Sequence, residues 1–307
     1  MKSESISGYL HPAYAKSLSE FGIPRELPNS KAWILQRSIP ASPYTDAMGC
    51  YPLFSCPDWS RLRDDLNDLS SELVSVVVVT DPFGSYDLRY LKDCFKDVVI
   101  PFKQHFVTDL SCSPESFLSS NHRRNARRSL RSVQVEQCSD PSECLEDWTT
   151  LYKSLVERHS VTGIPAFSRE SFSKQLRVPG IVVFRAVREN TAVGMLLWYV
   201  QGNVSYYHLG AYSDLGYELR ASFALFSYSV EYFAQHGVAW LNLGAGAGVG
   251  LDADSGLGRF KQGWSTGTRT AYFCGRVFDK KKYEEIVRAR NLAPTEYFPA
   301  YRLGEFS

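Results

Sequence analysis

The sequence predicts an α/β fold, and three observations predict it. A β-branched run, Val74–Thr80, is followed by Asp81-Pro82-Phe83-Gly84 and reads as a strand buried on both faces. Between residues 181 and 243 the pattern runs strand, strand, strand, helix, strand. Aromatic residues make up 14% of the 307 residues, with 18 Tyr and 18 Phe, which favours strands and well-formed pockets. The length suits one large or two ordinary domains. A hydrophobic content of 44% with 22% charged residues is that of a globular protein, and a net charge of +1 means that any basic patch is local.

The elements follow in order. Trp33–Ser38 reads as a strand and Pro40 to Tyr44 as a loop. Trp59–Leu69 has helical spacing with Asp58 as its N-cap. Tyr86–Phe95 is a short helix, and Val98–Leu110 a further strand. Residues 114 to 132 form one helix, with Ser113 as N-cap, Pro114 at the first position and Glu115 in the first turn. Asp140-Pro141-Ser142-Glu143 is the candidate linker, giving domains of 1–139 and 140–307. A helix over Glu146–His159 opens the second half. Strands follow at Ile181–Arg188, Ala192–Val200 and Val204–Tyr212, the last two joined by a tight turn at Gln201-Gly202-Asn203. Leu219–Gln235 is a helix closed by Gly237, Val238–Leu243 a strand, Thr268–Phe278 a late strand and Lys280–Asn291 a last helix, expected to pack back towards the first domain.

The 114–132 helix carries an unusual charge pattern. At roughly 100° per residue, Arg123, Arg124, Arg127, Arg128 and Arg131 fall in one stripe, with Ala126, Leu130 and Val133 opposite. No acid occurs between Glu115 and Glu136 to balance them. Stacked guanidiniums repel one another, and arginine is the residue best suited to bidentate phosphate contact. The stripe therefore reads as an anion site for a nucleotide diphosphate, coenzyme A phosphates, a tRNA backbone or an anionic lipid. The plainer reading is a solvated face paired with acids from elsewhere in the fold.

Other chemistries lack support. Seven cysteines, an odd number without a CxxC pair, argue against a disulfide framework or structural zinc, and the six histidines show no HExxH spacing. No metal is expected. Without an apolar leader or a run near 18 apolar residues, neither a secretion signal nor a transmembrane helix is expected, and the expected compartment is the cytoplasm. No GxSxG elbow supports Ser/His/Asp catalysis. The loop Gly244 to Gly250 is glycine-rich, but it runs into Leu251-Asp252-Ala253-Asp254 with no helical period, so a dinucleotide cradle is not expected. Asp252 and Asp254 have no partner spacing for a metal.

The most informative stretch is Leu241-Asn242-Leu243-Gly244, followed by Gly258-Arg259-Phe260-Lys261-Gln262-Gly263-Trp264. It sets a lysine after a phenylalanine in what reads as a glycine-rich loop. Three strands, a helix, a strand, then a loop with a short helix and a final strand is the element order of the GNAT acyltransferase core. The stretch from His105 to Val135, with Asp109-Leu110, Ser113-Pro114 and the basic run HRRNARRSLR, resembles the FemAB-like, BioF2-like branch of that superfamily. So does Asn242-Leu243-Gly244 followed by Phe260-Lys261. The resemblance covers about residues 70 to 270.

The resemblance implies two tandem GNAT-like domains, each a mixed, mainly antiparallel sheet flanked by helices. It implies an N-acyltransferase moving an acyl or aminoacyl group from an activated donor to an amine. It places Phe260-Lys261 near the catalytic channel, with Lys261 beside the oxyanion of a tetrahedral intermediate, and Asn242 and Gly244 beside the substrate. The plainer reading of Lys261 has its stem covering Phe260 or Trp264 and its charge in water. Where acetyl-coenzyme A-dependent members carry a glycine turn that holds pyrophosphate at a helix N-terminus, this chain has Glu218-Leu219-Arg220-Ala221-Ser222. Ala221 and Ser222 allow close approach and Arg220 could meet a phosphate, so the donor is either acyl-coenzyme A or aminoacyl-tRNA. Tyr207 and His208, at the end of the third strand, are candidates for the general base. Strand alternation points at most one of them inward, and Asp214 and Glu218 follow in the next loop. Two alternatives remain: an aminoacyl-tRNA-dependent transferase acting on a peptidoglycan precursor, and a non-catalytic module that binds nucleic acid or an anionic surface through the arginines. The expected partner is accordingly a phosphate-bearing small molecule or tRNA.

Overall fold

A computed structural model describes residues 6–246 and 256–305. In chain order the elements begin with α1 (Pro12–Ser17), β1 (Ile23–Glu26), β2 (Trp33–Ser38), β3 (Thr45–Gly49), α2 (Leu62–Asp68), β4 (Ser75–Val79) and α3 (Leu88–Cys94). Next come β5 (Val98–Asp109), α4 (Pro114–Phe117), α5 (Ser120–Ser129), β6 (Gln134–Gln137), α6 (Leu145–His159) and α7 (Arg169–Gln175). They are followed by β7 (Ile181–Arg188), β8 (Thr191–Gln201), β9 (Val204–Tyr212), α8 (Asp214–Glu218), α9 (Ala221–Gln235) and β10 (Trp240–Gly244). Last are α10 (Gly256–Gln262), β11 (Gly267–Val277) and α11 (Lys280–Ala289).

The chain divides into a larger unit, Met1–His11 with Lys103–Arg269, and a smaller one, Pro12–Phe102 with Thr270–Ser307. In the larger unit the strands lie in the order β5-β10-β9-β8-β7-β6, antiparallel except for the parallel pair β10 and β9. In the smaller unit the order is β1-β2-β3-β4-β11, antiparallel except for the parallel pair β3 and β4. Each unit thus repeats one pattern: three antiparallel strands, a helical crossover, and a parallel strand. In each, an antiparallel strand from elsewhere in the sequence then covers the free edge of that parallel strand. β5, which follows β4 in the chain, pairs with β10; β11, which follows β10, pairs with β4. The borrowed β11 makes the smaller unit discontinuous, whereas the separate piece of the larger unit is Met1–His11. Asp140–Glu143, expected as a linker, lies inside the larger unit, where Asp140 accepts a hydrogen bond from the Ser142 N–H at 2.8 Å. Ile286 of α11 packs with Ile39, Val74 and Tyr301 in the smaller unit.

The core of the larger unit lies between its sheet and α9. Phe184, Trp198, Phe226 and Phe233 are almost fully buried there, each contributing on the order of 1.5–3 kcal/mol by leaving water. The smaller unit packs α2 on its sheet through Leu62, Leu66, Val76 and Val78.

The basic helix departs from expectation. The single helix over 114–132 is two, because Leu118 is extended (ψ 123°) and Ser119 starts a new helix, its hydroxyl accepting the His122 N–H. α5 ends at Ser129, so Leu130, expected on the sheltered side, is 44% exposed, whereas Ala126 and Val133 are buried. The inward stripe of α5 is His122, Asn125, Ala126 and Ser129, at i, i+3, i+4 and i+7. Every uncharged residue between the arginines of α5 points in. Likewise, the helix expected over Leu219–Gln235 is α8 and α9, joined at Arg220, whose backbone is left-handed (φ 56°).

Candidate active site

The site is built where β9 and β10 part. They pair in parallel for three residues, ending at Asn242 opposite Tyr206. β10 then bulges between Asn242 and Gly244 against β5. Gly244 takes a left-handed backbone (φ +73°), and a Cβ there would stand 3.2 Å from the Lys261 Nζ. Only glycine meets both conditions without strain.

Lys261 is not on a loop. It lies on α10 and is 5% exposed. Its ammonium donates to the Ala245 carbonyl at 2.7 Å and sits 5.2 Å from the centroid of the Tyr207 ring. No carboxylate pairs with it among the described residues. Burial, with a smaller effect from Lys103, pulls its pKa down to about 7. A lysine whose charge faces water is therefore overturned: Phe260 packs on Phe223 and Phe226, and the Lys261 head is enclosed.

Three further groups meet there, and the sequence singled out only one of them for the site. Asn242, 2% exposed, accepts on its Oδ1 from the Gly244 N–H at 3.0 Å and lies 2.9 Å from the His105 Nδ1. Its Nδ2 is buried with no hydrogen-bond partner among the described residues. His105, on β5, is held neutral: burial lowers its pKa to about 4, against the Asn242 bond and with Lys261 and Lys103 adding to the drop. His122 joins the basic helix to α10. Its Nε2 contacts the Phe260 carbonyl at 3.0 Å and its Nδ1 the Ser119 hydroxyl at 2.8 Å. Its ring packs on Phe223, Phe260 and Trp264. A Cβ at Gly263 would overlap that ring, which accounts for the glycine after Gln262. The sequence signal for His122 was its place in the inward stripe of α5, while His105 stood out only as the first residue of the stretch His105–Val135 and carried no signal of a site role.

Tyr207 and His208 contact opposite sides of β9. Tyr207 packs on Trp198 and Phe226 beneath Lys261, and burial pushes its hydroxyl pKa up. His208 is 7% exposed, with Nδ1 3.0 Å from the Tyr9 hydroxyl and Nε2 3.0 Å from the Gln175 Oε1, and burial lowers its pKa to about 3. Both ring nitrogens are engaged by protein groups, so the structure places Tyr207, not His208, beside Lys261. Asp214 pairs with Arg158 at the surface, and Glu218 is exposed.

The anion candidates gather around α5 and α9. Arg123, Arg124, Arg127, Arg128, Arg131 and Ser120 line an open cleft of about 550 Å³. None of the five arginines forms an ion pair among the described residues, so the acids expected to pair with a solvated face are not found there. Arg220 donates to the Asn125 Oδ1 of α5, at the start of α9, which has no side-chain cap. Ala221 is fully buried and Ser222 half-buried. Residues 247–255, with Asp252 and Asp254 and most of the glycine loop, lie outside the described residues. Among the described residues no helix is long and apolar enough to cross a membrane.

Residues 118–261 match the family model of the acetyltransferase (GNAT) domain. The matched stretch, that of a GNAT acetyltransferase domain, lies within the larger unit and ends at Lys261. Three solved structures share the fold over nearly the whole chain. The crystal structure of FemX aligns with a TM-score of 0.67 at 16% identity, covering 93% of this chain and 96% of that one. The C-terminal domain (DUF2156) of a putative lysylphosphatidylglycerol synthetase from Agrobacterium fabrum aligns at 0.62 and 13% identity, covering 92% of each. L-PGS from Bacillus licheniformis aligns at 0.56 and 16%, covering 95% of this chain and 100% of that one. At such identities the likeness is one of fold. The sequence matches no curated protein.

Proposed function

We propose that the protein is an N-acyltransferase of FemAB-like type, moving an acyl or aminoacyl group from a thioester or ester donor to an amine. The observation that carries this reading is Lys261: an enclosed ammonium without a carboxylate partner among the described residues, at the parting of β9 and β10, in a stretch that matches a GNAT domain. An ammonium held in a water-poor site stabilises developing negative charge on a carbonyl oxygen far better than one in bulk water. Holding donor and acceptor together supplies the rest of the rate.

The arginine cleft takes the phosphate-bearing part of the donor. Bidentate guanidinium contacts suit phosphate, and Arg220, at the start of α9, reaches α5 beside that cleft through Asn125. Acyl-coenzyme A and aminoacyl-tRNA both satisfy that description. Phe260 and His122 lock α10 on α5, which ties the oxyanion contact to the anion cleft.

The test is a thermal-shift screen with acetyl-coenzyme A, longer acyl-coenzyme A species, uncharged tRNA and nucleotide sugars. A transfer assay follows with any ligand that raises the melting midpoint. The reading expects a stabilising donor that supports transfer to a primary amine, with transfer lost in Lys261→Ala. Affinity for nucleic acid without transfer, falling steeply with salt, replaces the enzyme with a binding module.

A further inference from the structure

The parting of β9 and β10 holds a second chemical group besides Lys261, and hydrogen-bond geometry fixes which of its ring nitrogens carries the proton of the neutral form. A backbone N–H only donates, so the Asn242 atom 3.0 Å from the Gly244 nitrogen is the amide oxygen. That same oxygen lies 2.9 Å from the His105 Nδ1. An amide oxygen only accepts, so Nδ1 carries the ring proton. In a neutral imidazole the lone pair then belongs to Nε2, which has no partner among the described residues. The β10 bulge makes this possible, since it brings the Asn242 side chain and the Gly244 N–H together. The charged groups that act on the ring are Lys261, on α10, and Lys103, on its own strand β5; both disfavour the imidazolium and leave Nε2 able to accept a proton.

We infer that His105 is the general base of the transfer reaction, with Asn242 as the positioning residue that fixes its tautomer. The assignment rests on the reading of the site as an acyltransferase. The amine nitrogen attacks the acyl carbonyl carbon, forming the C–N bond as the carbonyl π pair moves onto oxygen, opposite Lys261. His105 Nε2 takes the proton from the now cationic nitrogen, a far stronger acid than the free ammonium. The oxygen pair re-forms the carbonyl, the carbon–sulfur or carbon–oxygen bond to the donor breaks, and His105 returns the proton to the departing thiolate or alkoxide. The products are an amide and a thiol or alcohol, and the imidazole is regenerated. A base held by a third group is the arrangement that positions a proton acceptor for such a step.

The experiment compares the wild type with His105→Gln, using acetyl-coenzyme A or charged tRNA as donor, whichever the wild type turns over. A general base predicts a kcat lower by about 10²–10⁴-fold with KM nearly unchanged. It also predicts partial rescue by added imidazole and loss of the acidic limb of the kcat profile. Asn242→Asp, which keeps the acceptor oxygens and favours the imidazolium, moves that limb to higher pH. It serves as the second variant should His105→Gln melt early. A His105→Gln enzyme within threefold of wild type, or an acidic limb that neither variant moves, overturns the assignment and leaves the transferase standing. A wild type that transfers from no donor removes both. Nitrogen-15 NMR of the free protein at pH 7 judges the geometry independently: a bare Nε2 supports the assignment, and a protonated Nε2 overturns it.

Discussion

The two units solve the same structural problem in opposite ways. Where a parallel strand enters an antiparallel sheet, its neighbour must part from it, and a notch opens beside the strand end. In the smaller unit the notch beside β4 is filled. Phe54 bridges to Thr80, its N–H bonding the Val79 carbonyl at 2.7 Å and its carbonyl taking the Asp81 N–H at 3.1 Å. Trp59 meets the Phe54 ring edge-on, with centroids 5.6 Å apart, and Tyr86 packs at a tilt on Trp59, with centroids 4.5 Å apart. The polar groups there are matched: Tyr86 to Thr80 at 2.7 Å, and Asp81 to Ser55 at 2.9 Å. In the larger unit the corresponding notch beside β10 holds Lys261, the Asn242 amide and His105, with polar atoms left unmatched among the described residues. A buried unmatched donor costs about 1–3 kcal/mol. One copy of the pattern is finished as a core, and the other carries that cost at the place where chemistry would occur.

Five variants sharpen or break this contrast, from the largest expected effect to the smallest. Phe54→Ala empties the filled notch and lowers unfolding free energy by about 3–5 kcal/mol in denaturant titration, while kcat per folded molecule stays within twofold. Lys261→Ala does the reverse, lowering kcat by about 10²–10³-fold with KM little changed. If the two residues affect stability and turnover alike, the contrast is lost.

Lys261→Met tests the buried charge. The unfolded chain holds this proton up to the ordinary lysine value of 10.5 and the folded one releases it at about 7. Wild-type stability therefore rises with pH between those values, and the penalty is fully present below 7. Lys261→Met should raise the unfolding free energy in denaturant titration most below pH 7, by about a few kcal/mol, and least near pH 10.5.

His208→Gln tests the enclosed histidine. With a folded pKa of about 3 against 6.5 unfolded, wild type loses stability as pH falls below 6.5. The variant should lose less over that range, by about 1–2 kcal/mol at pH 5, with turnover preserved. Arg124→Ala with Arg128→Ala should raise the donor KM about tenfold, an effect that shrinks with added salt, and change stability by no more than about 0.5 kcal/mol. A change in stability alone would make the stripe structural.

Strand and helix periodicity carried most of the fold. The three strands from Ile181 to Tyr212 and the buried run before Asp81 appear almost as expected, because their hydrophobic repeat and flanking turns are local signals. The break at Leu118 was less legible, since Pro114 and Ser119 both serve as helix starts and only packing chooses between them. His122, Asn125 and Ser129 carry no apolar signal, and their burial is read only from the arginines around them. Within the site, Lys261, Tyr207 and Asn242 were visible through strand ends and the Phe260-Lys261 motif. His105 was not, because its partner is 137 residues away in the chain.

By itself the sequence determined the α/β class, the single-sign stripe of arginines and the lysine after Phe260, all set by residue type and short spacing. Tertiary structure decided which strand completes which sheet, because β5 and β11 each pair with a strand remote in sequence. It also decided the state of Lys261. A lysine's charge is fixed by its surroundings, and only the folded chain, closing β10, Tyr207 and α10 around the ammonium, removes the water that would hold its pKa at the ordinary value.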